Sequence, residues 1–491
     1  MINFGEFLPD QPAFKNRGAT EVKNVIPALS GYRVFKTQSA VSGAADNKII
    51  GMFSGKDDSS NAALYAADST KIYLFNAADS TLVNKSKSGN YTTSSDDRWR
   101  FVQFGEKVIC TNFDDPIQIA QQVGQGAVFA DLGGSPPKAK FIAVVRDQVM
   151  TGHTNDSSDG VKPYRLWWSG VNDEDYWTPG TSLSDFQDIP DVGDCTGLVG
   201  GEYAIALFEK AIVRGNFVGY PLVYTFQKLS TSVGCSTSGS VAAIGSSQVF
   251  WLGDDGFYML VGDQIKAIGA EKINRWFLDR FKIDSKENMV SGIDPRTQNV
   301  IWSYPNSEST DGENNEILIY NYRLDRWSYV SEGTTSISSL MTAGYTLDTL
   351  DNINSSIDAL PASLDDGIYK GGVFFFAGAK DKKVQSFSGA SLDATIETTE
   401  FEVAKGQRSV INNLIPYITC GSSESQTITA QIGSRQRQID QPVFSASSSL
   451  NADGYIPVRS LGAFHRVRIN LTGDWEIARG VDIDAKAQGF R

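Results

Sequence analysis

Hydrophobic and polar positions alternate in short runs along most of this chain, and the densest runs lie between residues 241 and 330. Val249-Phe250-Trp251-Leu252 and Phe257-Tyr258-Met259-Leu260 are apolar runs separated by Gly253-Asp254-Asp255-Gly256, where the Asp-Gly step suits a tight hairpin. Gly262-Asp263 then turns the chain into the run 264–268. Asp294-Pro295-Arg296-Thr297 reads as a turn, with Pro fixing φ at its second position. Strands are expected over 300–304, 317–322 and 327–330, the last entered through Leu324-Asp325-Arg326. Short antiparallel strands at regular spacing, rich in aromatics and Gly turns, predict all-β blades.

The same texture recurs upstream. The pairs 63–66 with 71–75, 99–104 with 107–111, 140–145 with 148–152, and 203–208 with 211–215 each flank a polar tip. They are alike in kind without a strict period. Counted to residue 388, they make roughly five to seven four-stranded blades. A β-propeller-like domain over residues 36–391 is therefore expected, with stacked sandwiches as the alternative. Residues 270–281 form the one helix candidate, with Ile273, Trp276, Phe277 and Phe281 on one face. Residues 334–366 turn Ser/Thr-rich and then acidic (Asp348, Asp351, Asp358, Asp365, Asp366) and read as a surface excursion.

The two ends differ from this middle. From residue 392 the strands alternate apolar and polar, Val467, Ile469 and Leu471 against Arg466, Arg468 and Asn470, which predicts a separate C-terminal β-sandwich over 392–491. Residues 1–35 hold little periodicity. Phe4, Phe7, Leu8, Phe14, Val25, Ile26 and Tyr32 are too apolar for a solvated tail, so an extended N-terminal arm docked on its own chain or on a neighbour is expected.

Composition sharpens this. The chain has 491 residues with 11% aromatics, 46 Gly and 16 Pro, which fits a Gly-turned β protein. Its net charge of −13 sets most of its surface against nucleic acid and excludes a basic clamp. Two histidines leave little for His-based chemistry, and four cysteines (Cys110, Cys195, Cys235, Cys420) without CxxC spacing read as buried free thiols. Residues 1–14 lack the pattern of a signal peptide, and the apolar runs fall far short of the roughly 20 residues that span a bilayer, so a soluble protein made in the cytoplasm is expected.

Catalytic motifs are missing: there is no GxxxxGK[ST], GxSxG, HExxH or EF-hand loop, and Gly-rich 234–239 lacks a following helix and a nearby Lys. The carboxylate pairs Asp57-Asp58, Asp96-Asp97, Asp114-Asp115, Asp254-Asp255 and Asp365-Asp366 read as turn formers. A glycosidase would need two carboxyls facing each other across about 5 to 10 Å. Trp167-Trp168 and Trp177 could stack on sugars, but aromatic strand residues more often build core. No catalytic residue, cofactor or metal ligand is expected. Arg435, Arg437, Arg459, Arg466, Arg468, Arg479 and Arg491 form either a solvated face or a subunit surface that pairs with the acidic excursion.

Several segments carry a resemblance. Leu8-Pro9-Asp10-Gln11-Pro12, Gly18-Ala19, Asn24-Val25-Ile26-Pro27 and Gly31-Tyr32-Arg33 open the chain. Tyr345-Thr346-Leu347-Asp348 through Ile357-Asp358-Ala359-Leu360-Pro361 and Ser363-Leu364-Asp365 lie in the excursion, and 462–468, 475–484 and Gly489 close it. Together they resemble the tail hub or nozzle (tail tube) proteins of short-tailed bacteriophages. The resemblance implies a propeller-based structural protein of the virion tail, assembled in the host bacterial cytoplasm. It implies a homohexameric ring below the portal and adaptor that extends and gates the DNA ejection channel. Its partners would be further copies of itself, the tail adaptor protein, tail fibre, spike or needle proteins, and phage DNA in transient, non-specific passage.

A carboxylate-lined lumen would repel phosphate and avoid the affinity that Lys and Arg surfaces gain by counterion release. The channel-lining candidates are Asp57, Asp58, Asp114, Asp115, Glu308, Asp311 and Glu313; the subunit-contact candidates are Phe7, Pro9, Tyr32, Asp348, Asp358, Asp365, Arg459, Arg466, Arg468 and Arg479. The alternatives are a receptor- or glycan-binding propeller, which predicts an exposed aromatic groove, and a glycan hydrolase, which predicts a cleft of convergent carboxylates.

Overall fold

A computed structural model describes residues 1–14, 16, 18–59, 61–124, 126, 128–341, 356, 374–421 and 426–490. Within them the chain is almost all β. The one α-helix, α1, spans Asn274–Arg280, and none is long and apolar enough to cross a membrane.

Seven four-stranded antiparallel units follow one another. Sheet 1 runs over 49–84, sheet 2 over 100–131, sheet 3 over 138–188, sheet 4 over 195–230, sheet 5 over 242–267 and sheet 6 over 290–330. Sheet 7 joins Ile337–Met341, Phe374–Lys380 and Lys383–Ser386 to Ser39–Ala40, a strand from the opposite end of the chain.

The near-continuous apolar runs have a simple cause: central strands such as Ala62–Asp68, Ala204–Phe208, Asn299–Tyr304 and Glu316–Asn321 are buried on both faces. In Asn299–Tyr304, Val300, Trp302 and Tyr304 pack toward sheet 5 with Phe250 and Phe257, while Ile301 packs toward sheet 7 with Val290 and Ile337. Similar cores join sheets 1 and 2 through Tyr65, Trp99 and Val108, and sheets 2 and 3 through Ile109, Ile119 and Val149. Phe141 and Phe208 join sheets 3 and 4, and Leu207 and Trp251 join sheets 4 and 5. Leu340, Ala377 and Val384 of sheet 7 share a core with Ile49, Met52 and Leu64 of sheet 1, so the succession of contacts returns to its start.

Two larger sheets hold both chain ends. Sheet 6 continues through Ala19–Lys23, Ala394–Thr398, Phe464–Thr472, Thr427–Arg435 and Val443–Phe444 into a ten-stranded sheet. A six-stranded sheet joins Val25–Ala28, Gly31–Val34, Trp475–Phe490, Gln407–Cys420 and Ile456–Gly462, with Ile2–Asn3 at its side. Their facing residues, among them Val22, Ile396, Ile469, Ile411, Leu414 and Val481, belong to one cluster. The N-terminal segment is thus woven into the strands of its own chain.

The helix is shorter than its sequence pattern. Ile273 sits outside helical φ/ψ, and Gly269, Asn274 and Gly256 crowd together there. Asp10 of the N-terminal segment accepts the N–H groups of Arg275 and Trp276 at 2.9 and 2.8 Å, satisfying donors that the first turn leaves unpaired. Residues 334–341 are not excursion: Ile337, Leu340 and Met341 are buried in the first strand of sheet 7, where apolar positions spaced among Ser and Thr meet sheet 1. Asp348, Asp351, Asp358, Asp365 and Asp366 of the acidic stretch lie outside the described residues.

Candidate functional site

An antiparallel sheet places successive turns at alternate ends. A chain of contacts ties one end of sheets 1 to 4 together. The Asp58 N–H donates to Glu106 at 3.4 Å, Lys107 pairs with Glu174, the Asn172 N–H donates to Asp147 at 2.7 Å, and the Arg146 N–H donates to Gly201 at 2.8 Å. We term this the first end. Asp57 and Asp58 lie there, in the turn between the first two strands of sheet 1. Asp57 accepts the Asn61 side-chain amide at 2.9 Å and its N–H at 2.7 Å, and these bonds hold its carboxyl below the ordinary range.

The other five channel candidates lie at the second end. Asp114 accepts the Ser94 N–H at 2.7 Å and Asp115 the Thr92 N–H at 2.8 Å, tying a turn of sheet 2 to the connection from sheet 1. Glu308, Asp311 and Glu313 sit on the loop between the second and third strands of sheet 6. Asp311 is lowered by the hydrogen bond from the Glu313 N–H, 3.0 Å away. Glu313 forms an ion pair of 2.6 Å with Lys48 at the entrance to sheet 1. The seven candidates therefore split between the two ends of the sheets.

The second end holds a depression of about 550 Å³ whose lining includes Asp96, Asp97, Asp284, Glu287 and Glu313. Its two cations are engaged: Lys48 by Glu313, and Arg98 by backbone. The Arg98 guanidinium donates to the carbonyls of Thr335 at 2.8 Å, Asn288 at 3.0 Å and Glu287 at 3.3 Å. Burial, with repulsion from Arg100, lowers it to about 10, so it keeps its proton at neutral pH. Asp97 pairs with Lys140 at 2.8 Å. Arg98 also lines a cavity of about 160 Å³ where Gly51, Arg100, Gly239, Val290 and Ile337 meet, from the inner strands of several sheets.

Sequence reading singled out neither Arg98, Asp284 nor Glu287, and took Asp96 and Asp97 only as turn formers. The one signal was the run Asp96-Asp97-Arg98, which places both signs in three residues.

The subunit-contact candidates scatter. Phe7 and Tyr32 are both 0% exposed: Phe7 lies against Trp276 and Tyr329, and the Tyr32 hydroxyl donates to the Gly5 carbonyl at 2.6 Å. A subunit contact through them would require the arm to leave this position. Pro9 is half-buried. Arg466 and Arg468 pair within the chain with Glu397, at 3.4 and 2.8 Å, and Arg466 also lies 3.5 Å from Glu400. Strand register explains this, since Glu397 stands opposite Arg468 on the neighbouring strand. Arg459 and Arg479 are exposed, and Arg479 donates to the Thr419 hydroxyl at 2.6 Å.

All four cysteines are unpaired, and the described residues hold no group of three or more His, Cys, Asp or Glu placed to bind a metal.

No family model matches the chain, and no curated protein matches it. Among solved structures it is similar to a fungal alcohol oxidase of the AA5 family in complex with copper, at 7% identity and a TM-score of 0.41, covering 86% of this chain and 99% of that one. A likeness this slight carries neither fold nor activity to this chain.

Proposed function

We propose that this chain is a structural protein of a short-tailed phage tail, a hub or nozzle subunit whose ring extends and gates the DNA ejection channel below portal and adaptor. In this reading the seven sheets are the blades of a β-propeller whose circle is closed by Ser39–Ala40. The two terminal sheets form a β-sandwich fastened to the sixth blade by the N-terminal arm.

The observation that carries the reading is the acidic depression at the second end. Asp96, Asp284 and Glu287 line it beside Asp97 and Glu313, which are paired with Lys140 and Lys48, and Arg98 is held by backbone carbonyls. Such a surface offers phosphate no free cation, so passing DNA gains no counterion-release affinity from it. In this reading the channel belongs to the ring of subunits and not to the interior of one. Adaptor, fibre, spike or needle proteins are the partners such a ring would contact.

Electron microscopy of the assembled protein tests this. A hexameric ring with a net acidic lumen is expected. A lumen dominated by Lys and Arg, the absence of an axial lumen, or a strict monomer both alone and with the other tail proteins would overturn it.

The same depression favours a second reading. Asp96, Asp284 and Glu287 line one depression, and a glycan hydrolase needs two carboxyls across such a cleft. Release of sugar fragments from host envelope, lost in Asp284→Asn, would decide for that activity. A glycan-binding groove has less support: the exposed aromatics among the described residues, Tyr220, Phe374 and Tyr417, lie on three separate elements.

A further inference from the structure

The third and fourth strands of sheet 4 outrun the sheet. Ala204–Phe208 accompanies the third strand only as far as Gly215, opposite Ala204. Beyond that, Asn216 to Gly219 pair with Val223 to Thr225 alone, as a two-stranded ribbon. Such a ribbon is marginal by itself. Here one face is anchored, with Arg146 over the Phe217 ring at 5.2 Å and Trp168 against Tyr224 at 5.0 Å. The tip is not: Val218, Tyr220 and Leu222 are 52%, 87% and 65% exposed. No charged residue occurs from Asn216 to Gln227, in a chain where 21% of residues are charged. A projecting, uncharged, apolar tip marks a contact site.

A matching hollow exists on the same molecule. Between sheets 1 and 2, a cavity of about 530 Å³ has apolar walls of Ala62, Ala63, Leu74, Val83 and Val123, with Asp57 and Lys85 among its polar lining. Its size suits one or two large side chains. It opens among turns of the first end, and the contacts from Asp58 through Glu106, Glu174, Asp147, Arg146 and Gly201 lead along that end to the ribbon. Sheet 3 lies between the ribbon's sheet and the hollow, so the tip does not fill the hollow of its own chain.

We propose that the Tyr220–Leu222 tip of one copy docks in the hollow between sheets 1 and 2 of the next. The two patches differ, so the contact is heterologous and repeats head to tail, which is what a closed ring requires. Tyr220 brings a rigid aromatic ring for the apolar walls and a hydroxyl for the polar side of the hollow, the profile of an interface anchor. This inference rests on the ring assembly proposed above and names the surfaces that close it.

Light scattering and cysteine pairing test it on the full chain. Tyr220→Ser with Leu222→Ser, and separately Val83→Asp, should each weaken self-association about thirtyfold or more, as loss of an interface anchor does. Chains carrying only Leu222→Cys, mixed with chains carrying only Val83→Cys, should form disulfide-linked heterodimers. Variants that assemble like the parent, or cross-links only between two Leu222→Cys chains, would overturn this docking and leave the ring standing. A parent chain that stays monomeric alone and with the other tail proteins would remove both.

Discussion

Arg98 donates through Nη2 to the carbonyl of Asn288 at 3.0 Å, although 190 positions separate them in the chain. The bond joins the connection entering sheet 2 to the connection entering sheet 6. Its other two bonds, to Glu287 and Thr335, extend the tie to the approach to sheet 7.

Arg98→Ala should therefore destabilise the fold by about 3 kcal/mol, since a charged donor is withdrawn from three carbonyls and such bonds contribute about 1.5 to 3 kcal/mol each without full additivity. The check is the urea midpoint. Arg98→Lys, with one compact ammonium in place of the planar fork, should recover only part of the loss.

Glu400 is the acceptor of a buried cationic cluster. Its side chain is 1% exposed, 2.5 Å from Arg435 and 3.5 Å from Arg466. Glu400→Gln keeps the shape and removes the charge, leaving Arg435 without its carboxylate and Arg466 with Glu397 alone. A loss of about 3 to 5 kcal/mol is expected. Glu308→Gln, on an exposed loop, should change stability by less than about 0.5 kcal/mol. Paired denaturation curves would separate the two.

His465 is fully buried, with Nε2 2.8 Å from the Ser409 hydroxyl, and burial lowers its pKa. The folded chain holds it neutral while the unfolded chain takes up a proton near pH 6.5. Its contribution to stability is therefore complete above about pH 6.5 and is lost as pH falls from there through the lower folded value. Stability measured between about pH 5 and 7 should rise with pH, and His465→Asn should flatten that slope. His153, also lowered by burial, supplies the slope that remains.

Gly256 has φ of +140°, and a Cβ there would lie 1.8 Å from the Asn274 amide nitrogen. Asn274 cannot easily move, because it donates to the Asp255 carbonyl at 3.0 Å and accepts the Phe257 N–H at 3.3 Å. Gly256→Ala should cost about 1 to 3 kcal/mol and loosen α1 from sheet 5, read as a lower melting temperature and a changed near-ultraviolet signal from Trp276.

Much of the strand inventory was legible because local pattern and final burial agree. Asp254-Asp255-Gly256 turns where expected, and Leu252 stands opposite Phe257 across it. Ile273, Phe277 and Phe281 fall on the buried side of the helical segment. The candidate site was not legible in this way. Asp57 and Asp114 look equivalent as Asp pairs in turns, and which end of a sheet each occupies follows from strand pairing, which local pattern does not encode.

The sequence by itself determined that this is a β protein with many short strands and an acidic surface, since apolar spacing, Gly turns and net charge are local or summed quantities. Tertiary structure alone decided that Ser39–Ala40 completes the last four-stranded sheet, that Arg466 and Arg468 meet Glu397, and that Arg98 reaches the Thr335 carbonyl. Each joins segments roughly 70 to 350 positions apart, and the partner of such a contact is chosen by register and packing across the whole chain.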